Sequence, residues 1–221
     1  MTEDSGVTRR GMIGVAAGAA AAASLAPAAA QAAGRRQVGV PEDGTAAAEV
    51  VGHLDQVGDA ITGYGYLTRV HGLAQSSLFR ASTHDEKSAR LTFASNVHVN
   101  ARFFRGTLIS VDGIGNLTLF LDGDGADFGN PASFSNGTPV ARFDAHFQNL
   151  LAVLAPNQGI STISGELKQK EAKTFSFDGR STRFGHRGLA LALSVSGPST
   201  RTADSPPTAF FDVAGHISRP R

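Results

Sequence analysis

The chain has no cysteine. That excludes a disulfide framework, a c-type haem attachment, a thiolate metal site and a lipoprotein anchor, so stability has to come from packing alone. Tryptophan is absent too, and two tyrosines stand against 14 phenylalanines. Sugar- and cation-binding faces draw on Trp and Tyr, whose rings carry a polar handle, whereas Phe packs cores. A carbohydrate-binding surface is therefore disfavoured. There is little excess charge: 20 Lys and Arg against 19 Asp and Glu leave a formal net charge of +1. Such a balance gives no electrostatic ground for nucleic acid or an anionic membrane as partner. The Gly-Lys-Ser/Thr phosphate cradle, the Gly-x-Ser-x-Gly elbow and the His-Glu-x-x-His pair do not occur either. No cofactor is expected on these grounds.

What the chain does have begins at its N-terminus. Thr8-Arg9-Arg10-Gly11-Met12-Ile13-Gly14 leads into an Ala/Gly-rich tract that ends in Ala30-Gln31-Ala32. Met12 to Leu25 is apolar but shorter than the roughly 20 residues a membrane-spanning helix needs, and Ala and Gly bury little surface. Pro27 breaks any helix, and the small side chains of Ala30 and Ala32 suit a signal peptidase; Ala28 and Ala30 would serve nearly as well. This segment resembles a twin-arginine signal peptide. Arg9 and Arg10 match the pair, Thr8 stands for the usual serine, and Met12-Ile13 for Phe-Leu, while Gly14 departs from the usual lysine. The resemblance covers residues 1–32. It implies a folded passenger handed to the twin-arginine export machinery, cleaved, and released outside the bacterial cytoplasmic membrane with no stable anchor. An ordinary Sec signal is the alternative.

Removing the leader leaves about 189 residues, enough for one domain with a real core. Residues 33–44 are polar and rich in breakers, and are expected to form a flexible linker. Residues 45–221 read as a single β domain. From Leu91 the apolar residues Leu91, Phe93, Val97, Val99, Ala101 and Phe103 alternate with Arg90, Thr92, Asn96, His98, Asn100 and Arg102, which is a strand signal. Thr107 to Val111 and Asn116 to Leu121 flank Asp112-Gly113-Ile114-Gly115, where a hairpin turn is expected. Val140 to Leu154 fits either a strand or a helix capped by Thr138 with Pro139 at its first position; strand is preferred, followed after Pro156-Asn157-Gln158-Gly159 by a partner from Ile160 to Leu167. Further strands are expected at Ile61–His71, Lys173–Phe177, Gly188–Ser196 and Ala209–Ile217. Long strands with short connections predict an all-β fold, a single antiparallel barrel of about 8–10 strands, with a two-sheet sandwich as the alternative. The pattern resembles calycin and allene oxide cyclase/dirigent-type barrels, a likeness of architecture that leaves function open.

Two polar rows are the main candidates for chemistry. His98, with Asn96, Asn100 and Arg102 on its row, and Asp144 and His146, with Arg142 and Gln148 on theirs, could act as an acid/base group, or as two imidazoles and a carboxylate on a metal, if both faces line a barrel interior. If they face outward, they are the wetted side of a sheet. Tyr64 and Tyr66, with Arg102 and Arg142, are candidate ligand-binding residues. Asp122-Gly123-Asp124-Gly125-Ala126-Asp127 invites a calcium reading, but Ala126, Asp127 and Ser133 break the ligand pattern, and a polar loop is expected. His84-Asp85-Glu86 reads as a solvated loop, and no metal site is assigned. Three roles follow: an exported barrel that binds a small, largely apolar ligand; an isomerase- or cyclase-type enzyme using interior His98, Asp144 and His146; or a cell-envelope structural protein.

Overall fold

The structure is a computed structural model that describes residues 35–221. The expected signal segment, with Arg9, Arg10, Ala30 and Ala32, lies outside the described residues. Eleven strands follow in order: β1 Arg36–Val38, β2 Ala46–Val57, β3 Ala60–Val70, β4 Leu91–Arg105, β5 Leu108–Leu121, β6 Thr138–Ala155, β7 Gln158–Ala172, β8 Thr174–Phe177, β9 Arg180–Phe184, β10 Ala190–Asp204 and β11 Pro207–Ser218. Eight of them close into a barrel in the order β10-β11-β2-β3-β4-β5-β6-β7, antiparallel throughout, with β10 returning to β7. The sandwich alternative is thereby excluded. The other three strands form a small sheet, β1-β9-β8.

Period-two alternation decides the faces. In β6, Ala141, Phe143 and Ala145 are buried while Arg142, Asp144 and His146 are exposed, so the strand reading of 140–154 holds over the helical one. Two inward glycines let a large ring enter the wall. Gly65 faces Gly52 across β2–β3 and Phe93 across β3–β4. A Cβ on Gly65 would lie 2.2 Å from the Val51 carbonyl oxygen, and one on Gly52 would lie 2.8 Å from the Phe93 ring.

Three expectations need correction. Asp112 to Gly115 is not a turn, because β5 runs unbroken through it. Gly113 and Gly115 are there for closeness: a Cβ on Gly113 would meet Val97 at 2.8 Å, and one on Gly115 would meet the Asn96 carbonyl oxygen at 2.0 Å. The turn falls earlier, at Gly106, whose φ is +60°. Within the expected linker, Arg36–Val38 forms β1 in parallel with β9, and Val38 is fully buried. Finally, the β4–β5 register slips between Val99 and Ala101. One extra residue reverses the facing of everything beyond it, so Arg102 turns inward opposite Val111 while Phe103 is left exposed.

The two ends of the barrel differ. The β2–β3, β4–β5, β6–β7 and β10–β11 connections are all tight hairpins at one end. Long connections occupy the other, including the small sheet. Phe184 of β9 meets the inward Phe143 edge to face with ring centres 6.2 Å apart, and both are fully buried. The buried Gln169 amide ties the two layers: its nitrogen donates to the Phe184 carbonyl at 2.9 Å and its oxygen accepts from the His186 N–H at 3.0 Å. The small sheet is thus packed and hydrogen-bonded onto that end of the barrel.

Candidate functional site

Inside the barrel, inward residues of all eight strands surround a cavity with about 80 Å³ free to the centre of a water molecule. Phe93, Leu117, Phe147, Ile163, Val195 and Phe211 are among its walls. Such a space has room for several waters, but a wall of this kind offers few hydrogen bonds to hold them, so it favours an apolar guest. A second recess, with about 190 Å³ free on the same measure, lies at the hairpin end among Gln56, Arg102, Phe104, Ile109 and Leu151. Val111 and Phe211 line both spaces, so the recess lies directly beside the cavity. The recess has a mixed lining, with Phe104, which is 71% exposed, beside Gln158, Arg201 and Thr208; Leu154, 70% exposed, Phe103 and Leu108 are further exposed apolar residues at the hairpin end.

Of the predicted ligand-binding residues, Arg102 alone reaches this interior. Its guanidinium donates to Asp59 at 2.5 Å and to the Gly58 carbonyl at 2.7 Å, and this contact holds the Asp59 carboxyl below the usual carboxylate range. Arg142 is exposed on the outer face. Tyr64 and Tyr66 also point outward, but they are buried because the β5–β6 connection folds back over them. Phe134, fully buried in a short 3₁₀ turn from Pro131 to Ser135, lies 5.2 Å from the Tyr64 ring, and Phe128 lies 6.0 Å from it. Thr92 fastens the flap by donating to the Phe134 carbonyl at 2.7 Å.

His98, Asp144 and His146 do not converge inside. All three are exposed on the outer face, where Asp144 pairs with Lys170 at 2.9 Å and His146 with Asp112 at 2.7 Å. The alternation that made them look like a row also places them opposite the buried Ala145 and Val97 positions. The acid/base arrangement thus lacks the interior placement it requires. Exposed Arg142, Asp144, Glu166 and Lys168 make the outer face of β6 and β7 charged along this stretch.

Sequence reasoning missed a polar cluster that spans three strands. Asp212, His53 and Tyr64 are direct neighbours across β11, β2 and β3. His53 Nδ1 lies 2.7 Å from Asp212 and Nε2 lies 3.2 Å from Asp55, to which the Tyr64 hydroxyl donates at 2.8 Å. Burial, and then this bond to Asp55, raises the Tyr64 phenol well above its ordinary value. Each imidazole nitrogen faces a carboxylate, which fixes the orientation of the ring. The cluster is a clasp across three strands.

Elsewhere the candidate loops have structural partners. Asp122 takes hydrogen bonds from Arg80 at 3.3 Å and Arg90 at 3.0 Å. His84 stacks on Phe79 with centroids 4.6 Å apart.

Taken together, fold and site define a closed antiparallel barrel with an apolar interior cavity. No family model matches the chain, and no match was found among curated proteins or solved structures.

Proposed function

We propose that the protein is exported through the twin-arginine route and binds a small, largely apolar ligand inside its barrel. The cavity carries the binding half of this reading: an apolar space enclosed by all eight barrel strands, beside a recess at the hairpin end. Burying apolar ligand surface there contributes about 25 cal/mol per Å² removed from water, which suffices for binding without charged contacts. Arg9-Arg10 and the small residues Ala30 and Ala32 support the export half.

Each half has its own test. Native mass spectrometry of protein collected outside the cell finds a co-purifying small molecule that organic extraction removes. A chain that neither carries such a mass nor takes up the apolar fluorophore aminoanthracene counts against binding and leaves the structural role. For export, exchange of Arg9 and Arg10 for lysine retains the protein inside the cell; unchanged release points to the Sec route.

A further inference from the structure

We infer that the ligand carries one neutral hydroxyl group, which donates a hydrogen bond to the side-chain amide of Asn149; this rests on the apolar-cavity reading above and names the chemical class it accepts. Three polar residues border the cavity: His53, Ser95 and Asn149. Two are already engaged. The His53 ring nitrogens face Asp55 and Asp212 on the outer side, and the Ser95 hydroxyl donates to the Gly63 carbonyl at 3.4 Å. The buried Oδ1 of Asn149 has no hydrogen-bond partner, and neither does Ser161 Oγ, one diagonal step away on the inner face of β7.

Gln169 shows how this chain treats a buried amide that has only a structural task. Its oxygen accepts from His186, and its nitrogen donates to both Phe184 at 2.9 Å and Glu171 at 3.0 Å. Asn149 sits on the neighbouring strand, faces inward, and is left without that provision. An orphaned buried acceptor costs about 1–3 kcal/mol. A ligand hydroxyl removes that cost, whereas a hydrocarbon does not. A carboxylate is a poorer fit, because no cation borders this cavity, and Arg102 in the neighbouring recess is already held by Asp59.

Displacement of aminoanthracene from the purified protein by n-decanol, n-decane and decanoate tests this. In the wild type all three arms are read, and Asn149→Leu then weakens n-decanol about tenfold while leaving n-decane unchanged or tighter. In wild-type protein n-decanol, and not n-decane, also shifts the Asn149 side-chain amide resonances, a readout that survives if the variant fails to fold. Equal shifts in affinity for n-decanol and n-decane overturn the hydroxyl assignment and leave the cavity reading standing. Decanoate binding tighter than n-decanol, with that advantage lost in Arg102→Gln, overturns it in favour of an anchor in the neighbouring recess. Failure of every probe to bind overturns both.

Discussion

Phe93 lies directly against Gly65, its partner across β3–β4: a Cβ on Gly65 would come within 2.8 Å of the Phe93 ring and 2.2 Å of the Val51 carbonyl oxygen. The barrel wall is thinned there so that an aromatic ring can enter from the next strand and form part of the cavity lining. A methyl group at this point collides with backbone on one side and the ring on the other. Gly65→Ala is therefore expected to cost about 3 kcal/mol in chemical denaturation. Gly106→Ala, at a hairpin tip with nothing within 4 Å of the added carbon, bears only the strain of its positive φ, about 1 kcal/mol. Equal losses at the two sites would show that the close approach at Gly65 is unimportant.

The two tyrosines are the only phenols in the chain, and there is no tryptophan to mask them. Burial raises both: Tyr64 with help from its bond to Asp55, Tyr66 with help from Glu86 and Asp85. A phenol whose native value is raised contributes stability that is full below its unfolded value of about 10 and is lost as the pH rises beyond it. The near-ultraviolet phenolate band of the native protein should accordingly stay absent past pH about 10 and appear together with unfolding. Phe134→Ala, which opens the flap, is expected to cost about 4 kcal/mol and to bring the Tyr64 titration back toward the ordinary value. A native protein that titrates both phenols at about 10 would contradict the covered position of this face.

The outer polar row predicts an absence of effect. His98→Ala, Asp144→Ala and His146→Ala remove exposed groups, the last two paired with surface partners, so each should change stability by less than about 0.5 kcal/mol and leave ligand affinity unchanged. Loss of ligand binding in any of the three, measured by aminoanthracene titration, would return them to the site.

How much of this was legible in the residues depends on whether local pattern or long-range geometry decided the matter. The closed barrel was legible, since strands such as β4 and β6 alternate over most of their length. The facing of Arg102 was not: one slipped residue near Asn100 reverses the strand, and alternation carries no mark of it. Gly113 and Gly115 misled because a glycine that admits a turn and a glycine that admits a neighbouring backbone are the same residue. Asn149 did leave a signal, as the polar interruption in the inward row Phe143, Ala145, Phe147, Leu151 and Val153. Its meaning emerged only once its oxygen was seen to be buried and unpartnered. The His53 clasp had none, because Asp212 lies 159 residues away along the chain.

The central claim is that the space among Phe93, Val195 and Phe211 is a ligand site, and filling it is the most direct test. In a solidly packed interior, Val195→Phe would cost roughly 1–3 kcal/mol of overpacking. With a cavity present the larger ring has somewhere to go, so the variant should unfold within about 1 kcal/mol of the wild type. The decisive measurement is aminoanthracene titration of the folded Val195→Phe protein. Binding that is lost, with stability retained, is the predicted result; binding at wild-type affinity would show that the ligand does not sit inside the barrel.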